Sequence, residues 1–296
     1  MNIILKYAAS SGNVYNLKAS GIKTKTANYH NWTWGVNSTE LQYGARVSNF
    51  KRNPLTYQTK LIFEGTVERR RQLIDQLHED FENDVRNKTP GRILWGSYYI
   101  DCFITASSTY PDKYDVWTDN DITIYCPYPF WIKDVFFHFG TEEEEDQQFL
   151  DYTYGFDYDF YLDIGSREWR TGTPFSSEFL LIYYGVTPLP RITINNHIYE
   201  VDYPLYENER IEVDSRKHTI THYNASNQPT NIFDFRMKEY SVFERIPGGD
   251  LTINWSGDFA FDLTLFEERS EPRQSDDRYE DLADQDDSII TALVGD

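Results

Sequence analysis

Several things are scarce in this sequence, and each scarcity removes a class of function. No stretch reaches the roughly 18 consecutive apolar residues that span a bilayer, and Met1 to Lys6 form no basic leader. The expectation is a chain made in the cytosol that stays soluble and is not held by a membrane. Triplets such as Asn31-Trp32-Thr33 then count as chance matches, not glycan acceptors. Positive charge is in deficit, with 28 Lys and Arg against 48 Asp and Glu. An acidic surface repels polyanions, which argues against nucleic acid and anionic membrane as partners. The glycine-spaced phosphate motifs G-x-x-x-x-G-K and G-x-G-x-x-G are absent, as is a G-x-S-x-G elbow, so no nucleotide cradle or serine nucleophile of that type is expected. Only two cysteines occur, Cys102 and Cys126, and neither has a nucleophile context. They share one parity of a predicted hairpin. A disulfide fits their positions, and a reducing compartment favours two buried thiols.

Ala and Leu are also sparse, whereas aromatic residues make up 17% of the chain. Tyr, Phe, Ile and Thr suit pleated, half-buried surfaces, so mainly β structure is expected. The charge is unevenly spread. Up to Val135, 16 Lys and Arg face 14 Asp and Glu; the remaining residues carry 12 against 34. Two balances that different point to two domains, 1–135 and 136–270, and 296 residues suffice for both.

The most legible stretch runs from Ile93 to Trp131. Tyr98, Ile100, Cys102 and Ile104 hold one parity of a strand, and Ile122, Ile124 and Cys126 hold one parity of the next. Turn chemistry is expected at 109–113, around Pro111 and Asp112. Pro127 and Pro129 remove ladder donors, so a stop is expected there, with Tyr128, Phe130 and Trp131 as an apolar wedge. Before it, a strand over 55–63 leads into one clear helix at about 67–87. Thr66 is its expected N-cap, Glu68 suits its first turn, and Leu73, Ile74, Leu77, Phe81 and Val85 form its apolar stripe. Arg69, Arg70 and Arg71 read as a solvated face, with one or two pairing with Asp75 or Glu79, or alternatively as a charged subunit contact. The first domain is thus α+β, a sheet structure carrying one helix.

After an acidic run at 140–146 comes a ribbon in which Tyr152, Tyr154, Phe156, Tyr158, Phe160 and Leu162 alternate with Asp151, Thr153, Gly155, Asp157, Asp159 and Tyr161, an aromatic face against one carrying acidic residues. Short strands follow at 178–184, 191–194, 197–201, 210–213, 218–222, 239–245, 251–255 and 259–266. Asn195-Asn196 supplies a two-residue turn. Many short antiparallel strands of this kind form a β-sandwich or jelly roll. From Glu271 the chain is an acidic extension (271–296) with one apolar segment at 288–294.

Chemistry-bearing constellations are few. His218 and His222 are four apart, but β-branched filling makes a strand, where they stand roughly 13 Å apart. Asp157, Asp159 and Asp163 lie on an extended ribbon, not on the tight turn a calcium loop needs. A glycosidase pair needs carboxylates about 5–9 Å apart, which spacing alone does not establish. The reading is no catalytic, cofactor-binding or metal-binding residue. The aromatic surplus fills cores and subunit interfaces, or alternatively stacks on sugars in the second domain, as a carbohydrate-binding receptor protein would.

Three segments carry a resemblance: Trp117 through Cys126 to Trp131, Asp151 through Phe160, and Arg191 to Tyr199 together with Ile246 to Trp255. In order and spacing they resemble the distal tail protein family of phages with long non-contractile tails. The resemblance implies a split-barrel-like or β-sandwich first domain that builds a hexameric ring around the tail channel. It implies a galectin-like second sandwich projecting outward. The implied partners are copies of itself, the tail tube protein, the tail-associated adhesion or lysis protein and the tape-measure protein. DNA would pass through the lumen unread. The implied location is the tail tip of a virion, and the role structural, not enzymatic. The acidic extension 271–296 departs from the family's short C-terminal end.

Overall fold

The computed structural model describes residues 5–19, 21–111, 116–141, 166–171, 173 and 175–273. Most of the acidic run at 140–146, the aromatic ribbon with Asp157, Asp159 and Asp163, and the extension beyond 273 lie outside the described residues. The protein is mainly β and antiparallel. It divides into two compact units, one formed by Met1–Lys133 with the chain from Glu268 onward, the other by Asp134–Glu267.

The first unit contains β1 (Leu5–Ala8), β2 (Val14–Asn16), β3 (Ile22–Thr26), β4 (Gly35–Glu40), β5 (Ala45–Lys51), β6 (Leu55–Glu64), α1 (Val67–Asn87), β7 (Gly91–Trp95), β8 (Tyr98–Pro111) and β9 (Trp117–Cys126). Strands run in the order β2-β1-β7-β8 and then β8-β9-β6-β3. The hinge between these layers is β8 itself. It pairs with β7 as far as Cys102 and with β9 from Phe103 on, through a register shift between Ile104 and Ala106. Alternation explains the core: Ile100, Cys102, Ile122, Ile124 and Cys126 all point inward and are buried. Each such side chain withdrawn from water contributes about 1.5–3 kcal/mol. The strand continues through Tyr110 to Pro111, past the start of the expected turn.

Helix α1 begins as its sequence dictates. The Thr66 side chain accepts from the Arg69 amide, and Lys88 closes the helix at φ 56°. Leu77 and Phe81 are buried, and Leu73 and Ile74 pack on the core. Val85, expected on the same stripe, faces outward. The inward position of the last turn is held by Asp84 instead. The proline stop falls where it was expected: β9 ends at Cys126, and after residues 127–130 a new strand begins. That strand, β10 (Trp131–Phe139), opens with Trp131, buried in the first unit's core against Tyr29, with ring centroids 6.0 Å apart.

The chain leaves the first unit within β10 and returns within β19 (Ala260–Arg269). Between them lie β11 (Ser166–Arg170), β12 (Glu178–Tyr184), β13 (Arg191–Ile194), β14 (His197–Glu200), β15 (Arg210–Asp214), β16 (Thr219–Tyr223), β17 (Pro229–Asn231) and β18 (Asp250–Trp255). One sheet of the second unit runs β17-β16-β15-β12-β19-β10 and the other β11-β18-β13-β14. Inward parities of the two sheets meet in one apolar core, with Phe179, Leu181 and Tyr183 on β12 facing Ile192 and Ile194 on β13. The Tyr183 hydroxyl donates across it to the Tyr199 carbonyl at 2.9 Å. Asn195 and Asn196 adopt φ 46° and 66°, the left-handed pair that a two-residue hairpin requires. The expected strand at 239–245 is not formed. That segment is irregular; it inserts Val242 into the core and packs Phe243 against it.

Candidate functional site

Among the described residues the largest departure from ordinary burial is the hairpin β4–β5. It is a sheet of two strands paired only to each other. Gly44 at φ +85° and the bond from the Leu41 amide to the Gly44 carbonyl (2.9 Å) form its tip. A bulge between Asn37 and Ser38 twists it, and the Ser48 hydroxyl fills the gap by donating to the Asn37 carbonyl. Its side chains are the wrong kind for water. Val36 stands opposite Phe50, 53% and 56% exposed, and Tyr43 at the tip is 87% exposed. Leu41 and Val47 are exposed as well.

The base of the hairpin is as fixed as the blade is bare. Arg52 lies between the rings of Trp34 (5.2 Å) and Phe130 (4.9 Å), donating to the Pro129 carbonyl and the Ser270 hydroxyl, each at 2.6 Å. Partial burial lowers the guanidinium's affinity for its proton, though an arginine stays charged at neutral pH. An isolated two-stranded hairpin is marginal in water. A contiguous apolar surface on one marks an interaction site. The Tyr43-Gly44 step lies in the turn between the two strands.

The other constellations are structural. His222 points inward and pairs its Nε2 with Glu209 Oε2 at 3.0 Å, whereas His218 occupies a turn at φ 52° beside Phe243. The two imidazoles are not brought together. His78 on α1 reaches the Ser107 hydroxyl at 2.8 Å, but buried Asn120 donates to the same hydroxyl (2.9 Å) and to Thr109 (2.8 Å). That network ties the helix to β8 and β9. Burial holds His78 below its ordinary affinity for protons. Cys102 and Cys126 are free and buried, and burial pushes both thiols up, Cys126 to about 12. Both are therefore poor nucleophiles.

Arg69–Arg71 do not form a uniform solvated face. Arg70 is buried and donates to the Gly65 and Val116 carbonyls at 3.0 and 2.9 Å, closing the entrance to α1. Many of the aromatics fill cores, and the outward Tyr223 lies under the Arg210 guanidinium at 3.9 Å. Among the described residues no group of three or more His, Cys, Asp or Glu is placed to hold a metal ion, and no helix is long and apolar enough to cross a membrane.

This architecture has been seen before. The fold matches the SPP1 Dit protein (gp 19.1), a hub of the adsorption apparatus in phages infecting Gram-positive hosts. The TM-score is 0.61 at 8% identity, over 90% of this chain and 99% of that one. It also matches a chain of the phage P2 baseplate in its activated conformation with Ca, at TM-score 0.62 and 12% identity, over 92% of this chain and 100% of that one. The same baseplate with Sr gives the same values. No protein-family model matches the sequence, and no curated protein does. The protein therefore has the fold of phage tail hub and baseplate components. At 8–12% identity what is shared is the fold.

Proposed function

We propose that this chain is a distal tail protein, a ring-building hub at the tail tip that joins the tail tube to the adhesion apparatus. The observation that carries it is the bare hairpin β4–β5 on a rigid base, in a fold shared with phage hub proteins. Its occupant is a second copy of the chain. A hairpin that covers a different face of its neighbour makes a head-to-tail contact, and such contacts repeat until a ring closes. Burying five exposed side chains, from Val36 to Phe50, contributes on the order of 1.5–3 kcal/mol each before the cost of ordering. In this reading the first domain forms a hexameric ring and the galectin-like second domain faces outward. The tail tube, the tape-measure protein and the tail-associated adhesion or lysis protein are its neighbours. DNA passes without being read, and the role is structural.

Native mass spectrometry and negative-stain imaging test it. The wild-type chain should form closed rings of about six copies. Tyr43→Asp with Phe50→Asp should release monomers of unchanged circular dichroism. A wild-type monomer at micromolar concentration, or rings that survive the double substitution, would refute the reading.

A further inference from the structure

The loops following β12 and β14 meet as a lip. The Thr187 amide donates to the Leu205 carbonyl (3.1 Å) and the Leu205 amide to the Thr187 carbonyl (2.8 Å). Thr187 and Leu205 are buried, so this bridge is anchored in the core of the second unit. An antiparallel bridge sets the register of its flanks. Val186 stands opposite Tyr206, and Pro188 opposite Pro204. These four positions are all exposed, Val186 at 60% and Tyr206 at 61%.

The lip is rigid as well as apolar. Pro188, Pro190 and Pro204 fix their φ angles. The Tyr206 amide donates to Glu209 Oε2, and the same oxygen is held by buried His222 at 3.0 Å. A pre-ordered apolar ridge loses little entropy on binding, which is what a docking anchor needs. Its rim is acidic: Asp202 and Glu207 are exposed on the loop that carries Tyr206. The nearby arginines are already engaged, Arg191 with Glu200, Arg210 with Glu212 and Asn227, and Arg236 with the Phe233 carbonyl and Asp234.

We infer that this lip is the docking site for a different protein, one presenting an apolar pocket rimmed by Lys or Arg. A second copy is disfavoured, because a symmetric contact would press two acidic rims together, and like charges across an interface oppose association. The inference goes beyond the hub reading, which it needs only for the cellular setting in which a partner is sought.

The test places a photo-crosslinking phenylalanine at Tyr206 of the full chain, in the cells that natively make it. A parallel sample carries the same probe at Tyr43. Position 206 should cross-link to a non-identical protein at a Lys- or Arg-rich segment, identified by mass spectrometry. Val186→Asp should lower that yield by about tenfold or more, as for a central anchor, and so should joint Asp202→Lys and Glu207→Lys. Both variants should keep the wild-type melting temperature. Cross-linking of position 206 to another copy of the chain, or to no protein, would overturn the inference. Position 43 reports self-contact separately, so failure there strikes the hub reading and leaves the lip standing.

Discussion

The Tyr7 hydroxyl donates to Asp84, tying β1 to the last turn of α1 across 77 positions of sequence. The same carboxylate accepts from the Ser10 amide (3.0 Å) and from the Ser10 hydroxyl (2.5 Å). One turn earlier, Asp80 gathers Ser11, Asn13 and Tyr15. Two buried carboxylates thus clamp the loop after β1 onto the helix. Burial and the Asp84 contact push the Tyr7 hydroxyl far above its ordinary range.

Removing one side of this contact should be costly. Tyr7→Phe deletes a hydrogen bond to a charged acceptor and should cost about 1.5–3 kcal/mol. Asp84→Ala leaves three donors unanswered in the interior and should cost more. Urea unfolding, followed by tryptophan fluorescence, would show both. An Asp84→Ala midpoint equal to wild type would contradict the clamp.

Gly91 stands where the clamp leaves no room. A Cβ there would lie 2.5 Å from Asp84 Oδ2 and 2.7 Å from the Tyr7 hydroxyl. Gly91→Ala should therefore destabilise by about 1–3 kcal/mol through overpacking. The Tyr7→Phe background, which vacates the hydroxyl, should soften that penalty. Additive losses in the double variant would show that the crowding lies elsewhere.

Acid should weaken the helix-to-sheet contact through His78. Its folded affinity for protons is below the ordinary 6.5, and burial is the first cause. Between that value and the lower folded one, the unfolded chain binds more protons, so stability falls as pH falls through the window. His78→Gln keeps a polar partner near Ser107 without titrating. Its stability loss from about pH 7.5 to about 5.5 should be the smaller of the two. Equal slopes would assign the acid sensitivity to other groups.

Arg52 should control the hairpin it anchors. Arg52→Ala removes two hydrogen bonds and both ring contacts at the base of β4–β5. Amide exchange in 35–51 should quicken, with little change in β7 or β8. Arg52→Lys restores charge but not the planar fork, so it should recover only part of the protection.

Much of the fold was readable because local rules were enough. The parities of Tyr98, Ile100, Cys102 and Ile104 name the buried face of β8, and all four are buried. Thr66 and Asn195-Asn196 carry their conformations in their side chains. What escaped depends on partners distant in sequence. Asp84 displaces Val85 from the helix's inner face because Tyr7 and Ser10 supply donors from β1 and the loop after it. Arg70 is buried because Val116, 46 positions on, offers a carbonyl. The hairpin β4–β5 was the hardest to read, since sequence patterns signal burial within a chain. Val36, Tyr43 and Phe50 find none there.

β8 gives its first half to one layer of the first unit and its second half to the other. A single covalent beam therefore runs through both. Neither layer can slide against the other without unzipping β8 from β7 or from β9. Pulling on either sheet loads the other, so the unit should rupture as one mechanical body, not peel away strand by strand.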